Sequence, residues 1–220
     1  MQALLSGRTN VAAYARVVVD RGNGKTLLKP PRALRVGENM GEYLFCDRGF
    51  VPTITLVVER EMATKVRYNE CLRMAQDSDF AIRLQLAGCS FEMASAPGAV
   101  WKDCPDPKRI SVSAAPALAS AQRLSDWLTQ MEASMTSKAR LGARGWPYAK
   151  LVARSGNPFL ALRLFLRAVL HGCYNLRLAA VICLQIFLDP SLYRDIADRA
   201  IPWLHSQWRL NRLAKSTISA

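Results

Sequence analysis

Histidine is almost missing from this chain: two in 220 residues, His171 and His205. The six cysteines, Cys46, Cys71, Cys89, Cys104, Cys173 and Cys183, contain no C-x-x-C pair. A structural zinc site needs four Cys or His ligands at short spacings, so this supply argues against one. The cysteines read instead as reduced thiols of a cytosolic setting. Long apolar runs are missing too. Arg163, Arg167 and Arg177 break the region 159–188 before it reaches the roughly 20 residues that a membrane span needs. The apolar run within Met1 to Gly7 is too short for a signal peptide. Acidic residues are scarce in the second half. Residues 111–220 carry 14 Lys+Arg against five Asp+Glu, whereas residues 1–110 carry 16 against 12.

What is present is a chain that is half apolar, which excludes general disorder, and long enough to bury a core as one domain or one domain with an appendage. The net charge of +13 suits an anionic partner. No nucleic-acid motif occurs, and the C-terminal arginines alternate with apolar runs. That favours a membrane surface and speaks against nucleic acid.

In order, residues 1–9 read as the end of a helix. Val11 to Asp20 reads as a strand, Arg21-Gly22-Asn23-Gly24 as a turn and Thr26 to Leu28 as the return strand. A short helix is expected near Met40 to Leu44, a buried strand over 51–58 and a short helix from Arg60 to Val66. Ser90 to Ser95 and a segment ending at Val100-Trp101 read as strands. From residue 114 the pattern is helical: one helix over 115–137, a Gly-interrupted basic link over 140–146, and a long region 159–188 broken near His171-Gly172. Asp189-Pro190 ends it, and another helix starts at Tyr193. The tail from Trp203 to Ala220 is basic with Trp203 and Trp208, which suits an interfacial segment.

The richest stretch is Asn69 to Leu84. Asp77 and Asp79 precede the apolar positions Phe80, Ile82, Leu84 and Leu86, and Gly88 follows. This predicts a helix with an acidic first turn and a glycine stop. One reading of such a pair is that one aspartate caps the helix while the other is solvated.

Together with the strand before Glu59-Arg60-Glu61, Tyr68-Asn69, Gln76-Asp77-Ser78-Asp79-Phe80-Ala81-Ile82-Arg83-Leu84, Gly88, Trp101-Lys102-Asp103 and Ser111-Val112-Ser113, the stretch resembles the second half of family 2 glycosyltransferases. These are inverting GT-A enzymes that build bacterial surface polysaccharides. The resemblance covers roughly residues 10 to 115 and lies in order and spacing rather than in any one motif. It implies an α/β fold with a partial GT-A, nucleotide-diphospho-sugar transferase-like mixed sheet over 1–113. The region 114–220 reads from its own pattern as a basic helical region: its Leu and Phe stripes suit the core of an all-helical appendage, and contact with a membrane is the alternative. The resemblance implies a nucleotide-sugar donor, a glycan or lipid-linked acceptor, and a place at the inner face of the cytoplasmic membrane.

The resemblance also implies roles. Asp77 falls where the family has its catalytic base, which takes the acceptor hydroxyl's proton. Gln76 stands where the family has Glu. The change removes a neighbouring negative charge and weakens Asp77 as a base without abolishing it. Asp79 is expected to cap the helix or to orient an arginine, with Arg83 able to pair with it at i,i+4. Thr53 or Thr55 is expected toward the acceptor site, with Trp101 supporting it; packing within the strand is the equal alternative for the threonines. Lys102, Lys108 and Arg109 lie in a Pro-rich loop that in the family closes over the diphosphate; a solvated surface loop is again the equal alternative. The family's donor half holds Mg or Mn through an Asp-x-Asp at the end of a buried strand. Asp77-Ser78-Asp79 follows a polar segment, so no metal ligands are expected in this chain, which reads as a truncated enzyme, a fragment or half of a split one. The alternative is a non-catalytic remnant or partner subunit that binds glycan, another chain or an anionic membrane surface.

Overall fold

The computed structural model describes residues 9–72, 74–103 and 117–199. The strand expected over 11–20 is bent at Ala15-Arg16 into β1 (Val11–Tyr14) and β2 (Val17–Asp20). Each half is the centre of its own three-stranded mixed sheet. β1 runs parallel to β5 (Ser90–Met93) and antiparallel to the two-residue β4 (Val57–Val58). β2 runs parallel to β6 (Ala99–Lys102) and antiparallel to β3 (Thr26–Lys29). The central positions explain the composition. All four β1 side chains are buried, whereas β2 alternates, with Val17 and Val19 buried and Val18 and Asp20 half-buried. The architecture is therefore mixed α/β.

The strand expected over 51–58 does not form. Thr53–Thr55 is a 3-10 turn, and only Val57–Val58 pairs. The reason lies in Thr55 and Pro52. The Thr55 hydroxyl donates to the carbonyls of Ala15 (2.9 Å) and Pro52 (3.2 Å) and accepts from the Ala15 amide (3.2 Å). A side chain that satisfies local backbone groups competes with a ladder, and Pro52 has no amide to give one.

Three helices cover this sheet region: α1 (Met40–Cys46), α2 (Arg60–Val66) and α3 (Gln76–Leu86). Asn39 caps α1 by accepting from the Glu42 amide. Gly88 ends the α3 region with φ +95, a conformation that costs a residue with a Cβ about 1 kcal/mol or more. The core joins β1, α1 and α3 to α4 (Ala117–Gln130) through Tyr14, Tyr43, Phe45, Ile82 and Trp127.

The single helix expected over 115–137 stops at Gln130. A 3-10 turn, Glu132–Ser134, follows, and Thr136 then caps α5 (Ser137–Ala143) by accepting from the Ala139 amide at 3.1 Å. The link expected over 140–146 is helical instead. α5 runs into a π turn, Arg144–Tyr148, and on into α6 (Ala149–Arg154). The widened turn accommodates Pro147, which lacks an amide proton. Gly145 is there for closeness: a Cβ on it would collide with the Ala168 methyl. α7 (Pro158–Leu170) and α8 (Leu176–Phe187) are capped by Asn157 and Asn175, with the expected break between them. Residues 190–199 are helical and return to the β2–β3 turn, where Asn23 donates to Asp198 (2.7 Å) and Lys25 to the Asp198 carbonyl (2.8 Å). Among the described residues no helix is long and apolar enough to cross a membrane.

Candidate functional site

The start of α3 carries a backbone outlier. Ala75 sits in the left-handed region (φ 60), and no side chain caps the helix. The capping role expected for a carboxylate therefore fails, and both aspartates are released for other contacts. They point to different places.

Asp77, one position into α3, is half-buried and faces the Thr53–Thr55 turn. Thr53 donates its hydroxyl proton to Asp77 Oδ1, and Tyr68 donates to Thr53 Oγ1 at 3.4 Å. The Tyr68 ring stacks on Phe80, with centroids 4.0 Å apart. Phe80 lies one turn beyond Asp77, on the same side of α3. Burial and the Asp77 charge both push the Tyr68 phenol above its usual value, although the Thr53 hydrogen bond pulls the other way; the ring stays a proton donor at neutral pH. The result is a short chain, Tyr68 to Thr53 to Asp77, that holds one carboxylate oxygen. Among the described residues nothing bonds the other, Oδ2. Tyr68 was missed as a site residue. Its signal was an aromatic within the polar segment 67–70 ahead of an acidic helix start.

Asp79 is a different group. It is 2% exposed and is held from two sides. Trp127 Nε1 donates to Oδ1 at 3.0 Å, and Arg83 Nε donates to Oδ2 at 2.8 Å. Arg83 also donates to the carbonyls of Val66 and Arg67 at the end of α2. The expected i,i+4 pair forms, and it ties α2, α3 and α4 together.

The other candidates separate. Gln76 turns back to donate to the Leu72 carbonyl, away from Asp77. Thr55 does not face outward with Thr53: its hydroxyl is buried against Ala15 and Pro52. Trp101 lies on β6, in the other sheet, with Lys29 Nζ 5.5 Å from its ring centre and Phe50 at 6.0 Å. Lys102 is exposed at the end of β6. Lys108, Arg109, Ser111 and Ser113 lie outside the described residues.

The residues around Asp77 do not fit a divalent metal. Its neighbours are a hydroxyl and a phenol, Asp79 is committed to Arg83 and Trp127, and among the described residues no three of His, Cys, Asp or Glu come together. Two shallow surface depressions, one lined by α6 and α8 residues and the other by α7, include none of Asp77, Thr53 and Tyr68.

An 84-residue stretch of the chain is 32% identical to the amylovoran biosynthesis glycosyltransferase AmsB of Erwinia amylovora. The match takes in 38% of this chain and 28% of that protein's length. The chain is thus related, over that stretch, to a glycosyltransferase. No family model matches it, and no solved structure does.

Proposed function

We propose that this chain supplies the acceptor side of an inverting, nucleotide-sugar-dependent glycosyl transfer of family 2, GT-A type, in the assembly of a bacterial surface or exopolysaccharide. The observation that carries the reading is Asp77, half-buried and held at Oδ1 by Thr53, with no hydrogen-bond partner at Oδ2 among the described residues. In such a transfer the acceptor oxygen bonds to the anomeric carbon as the bond from that carbon to the diphosphate breaks. The hydroxyl proton goes to Asp77, and the nucleoside diphosphate leaves. A carboxylate already fixed at one oxygen presents the other in a set direction, as a general base must. Tyr68 and Thr53 act as positioning residues. The donor diphosphate and its divalent metal would be held by residues other than those around Asp77. The reaction would take place at the cytoplasmic face of the membrane, on a glycan or lipid-linked acceptor.

Asp77→Asn keeps the shape and removes the base. In a transfer assay with the complete polysaccharide machinery, it should lower the rate about 10²- to 10⁴-fold with an unchanged thermal midpoint. An undiminished rate would refute the role.

A second reading follows from Asp79. It belongs to the only Asp-x-Asp in the chain and is spent on Arg83 and Trp127. This favours a non-catalytic subunit that binds glycan or another chain. Titration with UDP- and GDP-sugars separates the two roles. Micromolar binding to this chain alone would place the donor site within it.

A further inference from the structure

α7 is built inside out. Its buried side chains are Ala161, Phe165 and Ala168, and the two alanines are fully covered. The close approach of Gly145 to Ala168 lets the helix pack on its small residues. Its large apolar residues point the other way. Phe159 is 85% exposed and Leu170 83%, and Leu162 and Leu166 between them are exposed as well. Spaced three, four and four apart, they form one stripe along a helix about 20 Å long. Arg163, Arg167 and His171, each one position on, run beside it and are exposed. Leu176, across the turn to α8, is exposed too and is followed by exposed Arg177.

The charge says what covers this face. From residue 133 to residue 188 the chain holds eight Lys+Arg and not one Asp or Glu. Among the described residues no carboxylate pairs with Arg163, Arg167 or Arg177. A second copy of the chain would bring the same cations against these. The segment 200–220 carries Arg209, Arg212 and Lys215 and no acid, so it would also meet like charge with like. An anionic bilayer surface offers what the face lacks: acyl chains for the leucines and phenylalanine, and lipid phosphates for the arginines.

We propose that the outer face of α7 lies in the interface of an anionic membrane, with Phe159, Leu162, Leu166 and Leu170 inserted and Arg163 and Arg167 at the phosphates. This deepens the membrane placement proposed above, and it is tested without sugar transfer. The full chain is floated with phosphatidylcholine vesicles, with and without phosphatidylglycerol. Binding should need the anionic lipid and fall with salt. Leu162→Ser with Leu166→Ser, and separately Arg163→Glu with Arg167→Glu, should each weaken it tenfold or more while the circular dichroism spectrum stays unchanged. Both pairs are exposed, so the fold survives. Arg209→Glu with Arg212→Glu should leave at least half of the binding. The proposal is overturned if both α7 variants bind as the parent does, or if only the tail variant loses binding. It is equally overturned if the chain sediments as a dimer that the α7 variants break.

Discussion

Asp77 and Asp79 are two positions apart in sequence and opposite in environment. The helix turns about 200° between them, so one carboxylate faces the Thr53 turn while the other faces the α4 core. The buried member is the structural one. Arg83→Ala would leave the Asp79 charge with Trp127 alone, in a site closed to water. Losing one partner of a buried pair is far costlier than losing an exposed one, so roughly 3 kcal/mol of stability should go. Urea unfolding measures it, and a loss under about 1 kcal/mol would mean that water reaches Asp79. Buried thiols show the same force of environment. Burial first, and then the neighbouring Cys173 thiol, pushes Cys46 up to about 12, so it stays a protonated, unreactive packing group.

Among the elements, the helix–π–helix run from α5 to α6 determines how closely α7 can approach. Its two glycines look like a link on paper and serve as contact points in space. Gly142 backs onto Cys46 and Gly145 onto Ala168. Ala168→Leu would force a larger side chain into that contact, and overpacking of this kind costs about 1–3 kcal/mol. The thermal midpoint should fall accordingly, whereas Leu166→Ala on the outer face of the same helix should barely move it. Equal effects at the two sites would contradict the inverted packing of α7.

At the scale of the whole molecule, the excess of positive charge reaches the places where sheet and helices meet. Lys150 on α6 is pulled down to about 8, first by burial and then by Arg154 and Lys29. Lys29, on β3, is lowered as well, by burial and then by Arg48 and Arg21. The sign follows from proton counting. Between about 8 and the ordinary value of 10.5, the unfolded chain holds more protons on Lys150 than the folded one, so stability rises with pH across that window. At neutral pH the whole penalty is present. Lys150→Met should therefore stabilise the protein by ~1–2 kcal/mol near pH 7, after discounting for solvent screening. Urea midpoints of the pair measured from pH 7 to 10 should converge as pH rises, and a constant gap would rule out titration of Lys150.

Much was legible in the chain itself. Local signals held wherever a residue acts on its own backbone: the β2–β3 turn, the α2 and α3 helices, and the glycine after α3. The Asp79–Arg83 pair was readable too, because i,i+4 neighbours meet on any helix. The tertiary structure decided the rest. Thr55 gave up a strand to bond Ala15, 40 residues away, and Tyr68 reached Thr53 only once α2 and α3 were packed. By period alone the stripe of α7 suits a core, and in the fold it is surface. Periodicity shows that a helix has two faces, but only the partner that packs on one of them shows which face is left for something else.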